Sequence, residues 1–483
     1  MISDLIEKPA MVTTGATAAA PPQTASVAER QTAGRALRER TPLESHAQWR
    51  PALRRHDPID VLVESSKGRI EELLPIRYGR MVASPFAFLR GAAAVMAADL
   101  SLTPATGVHV QACGDCHAVN FGGFATPERN IIFDINDFDE TSPGPWEWDV
   151  KRLVASFVAI GRFRNFSEEE GRHCAWRAAR SYRKHMAKYA EMPILEAWYS
   201  HINVDEFIED VAEMKTGSKT SKHLTSSHSE KWSKKTKQIA STHQLEFEKL
   251  AVQAAGEARI LDQPPLIYHF SAKEDAEKRK IIEESFRRYK DSVAPEVRTL
   301  LDRYALVDIA AKVVGVGSVG TLCGILLLLS GSGDPLFLQF KEARQSVLEP
   351  YAGAGPYEHN GERIVHGQRL MQAASDMFLG WMTGAGEAER TFYVRQLKDV
   401  KLKPMVEVSI PEGVDIWARY CGHALARAHA RSADPVLLSA YMDDGAAFED
   451  AMVDFAVAYT DQTERDHEAL AAAVRSGRLP AQT

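Results

Sequence analysis

The sequence predicts an α+β fold with a mostly helical larger lobe and a smaller strand-rich lobe, and three observations carry that expectation. Apolar runs V-H-V-Q-A at 108–112 and N-I-I-F-D-I at 130–135 bracket an acidic stretch and read as short buried strands. A second set of apolar runs, between residues 306 and 397, is punctuated by glycines and turn residues. Elsewhere apolar residues recur at three- and four-residue steps, as in Phe86, Leu89, Ala93, Met96, Ala97 and Leu100, which gives a helix one apolar face.

The totals bound the function. The chain has 483 residues, enough for roughly three domain-sized units or for lobes that share one cleft. With 45% hydrophobic and 25% charged residues it has the composition of a soluble globular protein with a large core. A net charge of −7 speaks against general nucleic-acid binding. The N-terminus M-I-S-D-L-I-E-K-P-A lacks the basic segment and apolar run of a signal peptide, and five cysteines make no disulfide framework, so a cytoplasmic location is expected. The most apolar stretch, 313–329, is interrupted by four glycines; it reads as two strands and a glycine turn, and no membrane partner is expected.

In chain order, residues 1–40 are rich in Ala, Thr, Pro and Gln and read as a disordered leader. Residues 41–200 read as one half of the larger lobe, helical from Ala52 to Leu100 and again after Pro145, where Trp146, Val150, Leu153, Val154, Phe157 and Val158 share a face. Arg77, Arg80 and Arg90 stand just upstream of the acidic stretch, as candidates to hold a phosphate or to pair with its carboxylates.

The acidic stretch runs from Cys113 to Asp149 and gathers Asp115, His117, Asn120, Asp134, Asn136, Asp137, Asp139 and Glu140. Such carboxylates repel one another, so a bound cation is the natural neutraliser. Cys113 and Cys116 form a C-x-x-C without a second ligand pair or a thioredoxin-like context, and read as small residues flanking Asp115. Asp115 and Asn120 stand in D-x-x-x-x-N, Asp137 follows 17 residues after the Asn, and Asp149 comes 12 residues later at a helix start. That is the layout of a phosphotransferase catalytic loop and metal loop. One Asp there takes the proton of the attacking hydroxyl, while an Asn and a second Asp hold magnesium ions on the nucleotide phosphates.

The segments G-D-C-H-A-V-N and N-D-F-D-E-T-S-P-G-P-W-E-W-D resemble the catalytic pattern of aminoglycoside-phosphotransferase-like kinases. The resemblance implies a kinase-like two-lobed fold, with Asp115 as the base, Asn120 and Asp137 as metal ligands and Asp149 as a structural anchor. His117, beside the base in the catalytic loop, would order that loop rather than take protons. A wider resemblance, through R-M-V-A-S-P-F-A-F-L-R-G at 80–91, F-L-Q-F-K-E-A at 337–343, F-Y-V-R-Q-L-K-D-V-K at 392–401 and A-Y-T-D-Q-T-E-R-D at 458–466, is to the bacterial family called domain of unknown function 2252. It spans roughly residues 40–470 and carries no activity with it.

Residues 201–245 include the Lys-, Ser- and Thr-rich run 215–237 and read as a flexible loop, and 246–305 as a helical connection. Residues 306–405 read as a nucleotide-binding lobe. Gly315, Gly317 and Gly320 spell G-V-G-S-V-G between apolar runs, and Lys341 ends a third run. Strand, glycine turn, strand, then a strand ending in Lys is the order of a kinase nucleotide lobe, where backbone amides cover the phosphates and the Lys contacts them. A dinucleotide-binding unit would need a helix after the turn, and T-L-C-G-I-L-L-L-L-S-G reads as a strand. Glu349 and Glu362 are the candidates to steady Lys341. A helix is expected through Ile364, Gln368, Met371, Ala374, Phe378 and Trp381, and a strand at Thr391–Leu397, with Lys398, Asp399 and Lys401 at a solvated end or at the nucleotide edge. Because the glycine turn follows the catalytic loop by about 200 residues, the lobes are permuted relative to a kinase.

Residues 406–483 read as helices that complete the larger lobe, with a stripe of Phe448, Met452, Phe455, Ala456 and Tyr459. His423 and His429, six apart, share no helical face, and Arg427 and Arg431 read as solvated ion-pairing residues or a substrate-facing stripe. The expected function is an ATP- and Mg2+-dependent phosphotransferase acting on a small-molecule or protein acceptor. The alternatives are transfer of AMP by much the same groups, a metal-dependent phosphoesterase and a nucleotide-binding pseudokinase.

Overall fold

The structure is a computed structural model that describes residues 24–482, apart from 52–54, 213–249, 255–256, 265, 270–271, 314, 316, 318, 387–388, 398–400, 403–408 and 444. Its first element, helix α1 (Val27–Arg40), overturns the expected leader for residues 27–40. Ser26 and Glu29 form a reciprocal capping box, and Gly34 brings the helix so close to a later one that a Cβ there would lie 2.3 Å from the Leu437 carbonyl oxygen. Only Gly34 and Leu37 of α1 are buried, too few positions for an apolar period to show in the sequence.

Four short helices follow, α2 (Pro58–Ser66), α3 (Leu74–Val82), α4 (Pro85–Gly91) and α5 (Ala93–Leu100). Strands β1 (His109–Ala112), β2 (Phe121–Ala125), β3 (Ile131–Ile135) and β4 (Ser142–Pro145) come next, with β1 antiparallel to β4 and β2 to β3. Helix α6 (Trp146–Phe163) is buried along its length from Trp146 to Gly161, and α7 (Glu168–Glu191) packs on it. Helices α8 (Ile194–Tyr199) and α9 (Val204–Ala212) complete this part.

The expected helical connection at 246–305 contains strands: β5 (Ala251–Ala254) and β6 (Glu257–Ile260) make a hairpin, and β7 (Ile267–Tyr268) joins a larger sheet. After α10 (Ala272–Tyr289) and α11 (Pro295–Leu301) come β8 (Tyr304–Lys312), β9 (Cys323–Ser330) and β10 (Pro335–Glu342). Then follow α12 (Glu349–Ala352), α13 (Asn360–Met371), β11 (Gly380–Thr383), β12 (Thr391–Gln396) and β13 (Lys401–Leu402). Six strands form one antiparallel sheet in the order β11-β12-β10-β9-β8-β7. Alternate residues of β10 face opposite sides: Leu336 and Leu338 pack with residues of α10 and α11, whereas Phe337 joins a cluster with the β5–β6 hairpin. The helix expected through Trp381 stops at Met371, because Asp376 accepts from the Phe378 and Gln396 amides and turns the chain, and Trp381 pairs with Tyr393 in the sheet.

Helices α14 (Pro411–Ala430), α15 (Pro435–Met442) and α16 (Ala447–Arg475) end the chain. They share one large core with α6 and α7, so the helical body is built from both ends of the sequence and the six-stranded sheet is inserted between them. Strand β13 returns to that body by pairing with β2. Mixed α+β architecture is thus what the chain adopts, with helix predominating.

Candidate functional site

The turn between β1 and β2 carries Asp115 and is suspended from α6. Gly114 has φ +82°, and a Cβ there would sit 2.4 Å from the Glu140 carbonyl oxygen, so no side chain fits. The amides of Cys113 and Gly114 donate to the two carboxylate oxygens of Asp149, at 2.6 and 2.9 Å. Asp149 stands in the first turn of α6, where a carboxylate also suits the helix dipole. His429 Nε2 lies 3.2 Å from Asp149 Oδ2 and its Nδ1 is 2.9 Å from the Tyr182 hydroxyl, so this histidine is a buried support. Its neighbour His423 stacks on His185 with ring centroids 3.6 Å apart.

Arg152 is one turn beyond Asp149 on the same helix. Its Nε donates to Asp115 Oδ1 at 2.8 Å, its Nη2 reaches the same oxygen, and Nη2 also donates to the Leu89 carbonyl at 3.0 Å. Arg152 is fully buried, while about one-fifth of the Asp115 side chain stays exposed (19%). Loss of water pushes the Asp115 carboxyl above its usual range, against the pull of Arg152 and Arg90. His117 has its Nδ1 3.3 Å from the Val119 amide, which donates to it, and its Nε2 3.9 Å from Asp115 Oδ2. Burial first and Arg152 second hold its pKa well below the usual value, leaving a neutral ring. The Asn120 amide nitrogen donates to the Asp115 carbonyl at 2.8 Å, and the Asn120 carbonyl accepts from the Asn136 amide at 2.7 Å, which ties the two loops together.

Asp137 lies in the second loop. Its Oδ1 accepts from the Asp139 amide at 3.3 Å, and its carbonyl accepts from Cys113 Sγ at 3.3 Å. Burial and the Asp139 carboxylate push its carboxyl up, while Lys341 and Arg395 pull it down. Lys341 meets this loop from the six-stranded sheet. Its ammonium is 2.7 Å from Asp139 Oδ2, and the Tyr393 hydroxyl donates to Asp139 Oδ1 at 2.6 Å. Lys341 and Tyr393 are register partners on β10 and β12, with the ammonium 5.4 Å from the ring centroid. Burial disfavours the ammonium, but Asp139, Tyr393 and Asp137 outweigh it and raise its pKa.

The expected glutamate partners lie elsewhere. Glu349 is 3.5 Å from Arg363 and Glu362 is 3.7 Å from His366; Glu342, next to Lys341 in the chain and not one of the two candidates, pairs with Arg390 at 3.1 Å. The glycine turn does reach the acidic loop: a Cβ on Gly317 would lie 3.9 Å from Asp115 Oδ2. Gly320 has φ +89°, and its carbonyl accepts from the Ile70 amide at 2.7 Å; Gly315 faces open space.

The carboxylate crowd is largely neutralised from within, where a bound cation was expected. Asp115 pairs with Arg152 and Asp139 with Lys341, while Asp134, fully buried, pairs with Arg427 at 2.7 Å. Arg427 is therefore a core residue rather than a solvated one, and Arg431 lies over the Trp198 ring at 4.1 Å. Among the described residues no three His, Cys, Asp or Glu side chains converge as a metal-ligand set. The donors that remain, the Asp137 carboxylate and the Asn120 amide oxygen, fit magnesium, which takes one or two protein oxygens and completes its shell with phosphates and water.

Beside Asp115 opens a cavity of about 730 Å3, lined also by Asp139, Gly317, Arg77 and Arg90. A family described as an uncharacterized protein conserved in bacteria, DUF2252, matches residues 69–473. The chain belongs to this family. Neither a curated protein nor a solved structure matches it. The DUF2252 match contains each residue named in this site, from Arg77 to Arg431. Among the described residues no helix is long and apolar enough to cross a membrane, and the apolar stretch 313–329 supplies the glycine turn and most of β9. Lys398, Asp399 and the run 215–237 lie outside the described residues. Arg152, Asp139, Tyr393 and Arg395 carry the site without having been assigned roles from sequence. The available signal was position: Arg152 follows Asp149 by three residues on a helix, and Tyr393 and Arg395 alternate on a strand.

Proposed function

We propose that this chain is a phosphotransferase that moves the γ-phosphoryl group of ATP to a hydroxyl of an acceptor, with magnesium as cofactor. The observation that supports it most is that Lys341 meets Asp139 and Gly317 approaches Asp115, each across 202 residues, which brings the inserted sheet region onto the acidic loops. In this reading Asp115 takes the hydroxyl proton, the acceptor oxygen bonds to the γ-phosphorus, the bond to the β–γ bridging oxygen breaks, and ADP leaves. Lys341 contacts the phosphates, shared with Asp139, and the amides of Gly315, Gly317 and Gly320 cover them. Asn120 and Asp137 would hold magnesium, which when bound would neutralise phosphate charge. Arg152 fixes Asp115 and keeps its charge compensated.

That same ion pair favours a second reading, a nucleotide-binding pseudokinase, since Arg152 engages Asp115 Oδ1 through both Nε and Nη2 and leaves one oxygen to meet a hydroxyl. Thermal shift with ATP and magnesium, followed by turnover, separates the two. Under the phosphotransferase reading the wild type is stabilised, Asp137→Ala loses the magnesium-dependent shift, and Asp115→Asn keeps nucleotide binding but loses transfer. Binding without turnover in the wild type leaves the pseudokinase, and no nucleotide-dependent shift removes both.

A further inference from the structure

The cavity beside Asp115 has a guanidinium wall. Arg69, Arg77, Arg90 and Arg344 all line it, whereas Lys341 and Asp137 do not. Arg69 donates to the carbonyls of Val319 (2.7 Å) and Ser65 (3.3 Å). Arg77 donates to Ser66 Oγ (2.7 Å) and the Gly91 carbonyl (3.2 Å), and Arg344 to the carbonyls of Ser65 and Lys67. These neutral acceptors hold the groups in place without cancelling their charge. Among the described residues none of the three forms a salt bridge. Arg77 is 2% exposed, and its Nε is buried without a hydrogen-bond partner. Burial, then the charges of Arg77 and Arg344, push the Arg69 pKa down to about 9.

The carboxylates around the cavity are committed elsewhere. Asp57 caps α2, Asp60 pairs with Arg478, Glu64 with Lys67 and Glu342 with Arg390. Glu140 accepts from the Val347 amide at 2.8 Å, and its charge reaches Arg69 and Arg77 only at a distance. Arg69, Arg77 and Arg344 thus border the cavity with no carboxylate in salt-bridge contact among the described residues, only the more distant charges of Glu140 and Glu342, and oxyanions match guanidinium geometry.

We propose that this cavity binds the oxyanion of the acceptor, a small molecule that carries a phosphate or carboxylate group besides the hydroxyl presented to Asp115. That the ligand is the acceptor rests on the phosphotransfer reading above; that the cavity takes an oxyanion rests on the arginines alone. The test uses the full chain and two probes, inorganic phosphate and citrate, titrated calorimetrically at constant ionic strength. Wild type should bind at least one of them, phosphate preference marking a phosphorylated acceptor and citrate preference a carboxylated one. Arg69→Gln and Arg344→Gln should each weaken binding about tenfold, the size of one lost charge-assisted contact. Arg344→Lys should keep most of it, and Arg172→Gln, at an exposed arginine paired with Asp454 and outside the cavity lining, should leave it unchanged.

Absence of binding by wild type at about 20 mM of either probe overturns the proposal, whether or not the variants fold. So does full affinity in folded Arg69→Gln and Arg344→Gln, or an equal loss in Arg172→Gln, which would mark an effect of overall charge and not of a site. The ATP–magnesium shift on the same samples keeps the two claims apart. Oxyanion binding without a nucleotide shift sinks the phosphotransfer reading and leaves the oxyanion site standing; a nucleotide shift without oxyanion binding sinks the site alone.

Discussion

At Asp115 two demands meet in one side chain: it is partly open to the cavity, yet it is the counter-ion of a fully buried arginine. Removing one partner of a buried pair leaves an uncompensated charge, whereas removing a hydroxyl from a hydrogen bond costs less. Arg152→Met should therefore destabilise the chain by about 3–5 kcal/mol. Tyr393→Phe, which takes only one donor from Asp139, should cost about 1 kcal/mol. Urea unfolding of both variants checks the order, and an Arg152→Met protein within about 1 kcal/mol of wild type would contradict the assignment of Arg152 as the charge that holds Asp115.

Two elements shape the site. On α6, Asp149, Arg152 and Ser156 lie on one face and each holds the turn that carries Asp115: Asp149 and Ser156 accept its amides, and Arg152 binds the carboxylate itself. The glycine turn before β9 is the other, and its glycines are not equivalent. Gly320 sits at φ +89° with a Cβ position 3.0 Å from the Arg69 Cβ, whereas Gly315 has open space. Gly320→Ala should cost about 1–2 kcal/mol and disturb Arg69, while Gly315→Ala should stay within about 0.5 kcal/mol of wild type, as chemical denaturation will measure. These cases mark what the sequence could tell. The order strand, glycine turn, strand, Lys was legible because glycines and strand alternation are local signals. The hold of Asp149 on the turn that carries Asp115 was legible through spacing. The Lys341–Asp139 and Asp134–Arg427 pairs were not, because each is formed by tertiary packing across 202 and 293 residues and has no local period. Helix α1 escaped because a backbone-to-backbone contact at Gly34 leaves no apolar stripe.

Across the whole molecule, polar groups are packed into a core made from both chain ends, and that packing couples stability to pH. His46, 2.7 Å from the Tyr441 hydroxyl, is pushed down to about 3 by burial and then by Lys151; His423 is pushed down to about 2 by burial and then by His185. Both are depressed below the unfolded value of 6.5, so above that pH neither state binds the proton and they contribute nothing to the slope. Below it the unfolded chain takes up the proton and the folded chain does not, so stability falls as pH falls, by up to about 1.4 kcal/mol per pH unit for each histidine. Asp115, Asp137 and Glu140 act with the opposite sign, since their raised folded values hold protons that the unfolded chain releases as pH rises through the carboxylate range. The total curve below neutrality is thus a contest between the two sets, and one histidine has to be isolated from it. In His46→Leu the Tyr441 hydroxyl keeps its bond to the Thr41 carbonyl at 2.8 Å, so the variant removes the titrating ring with little else. The difference in unfolding free energy between wild type and His46→Leu should be flat from pH 8 to 7. Between pH 6 and 4 it should shift against the wild type by about 1.4 kcal/mol per unit. A difference that stays flat through that range would mean that the folded protein protonates His46 and that this part of the core opens to water.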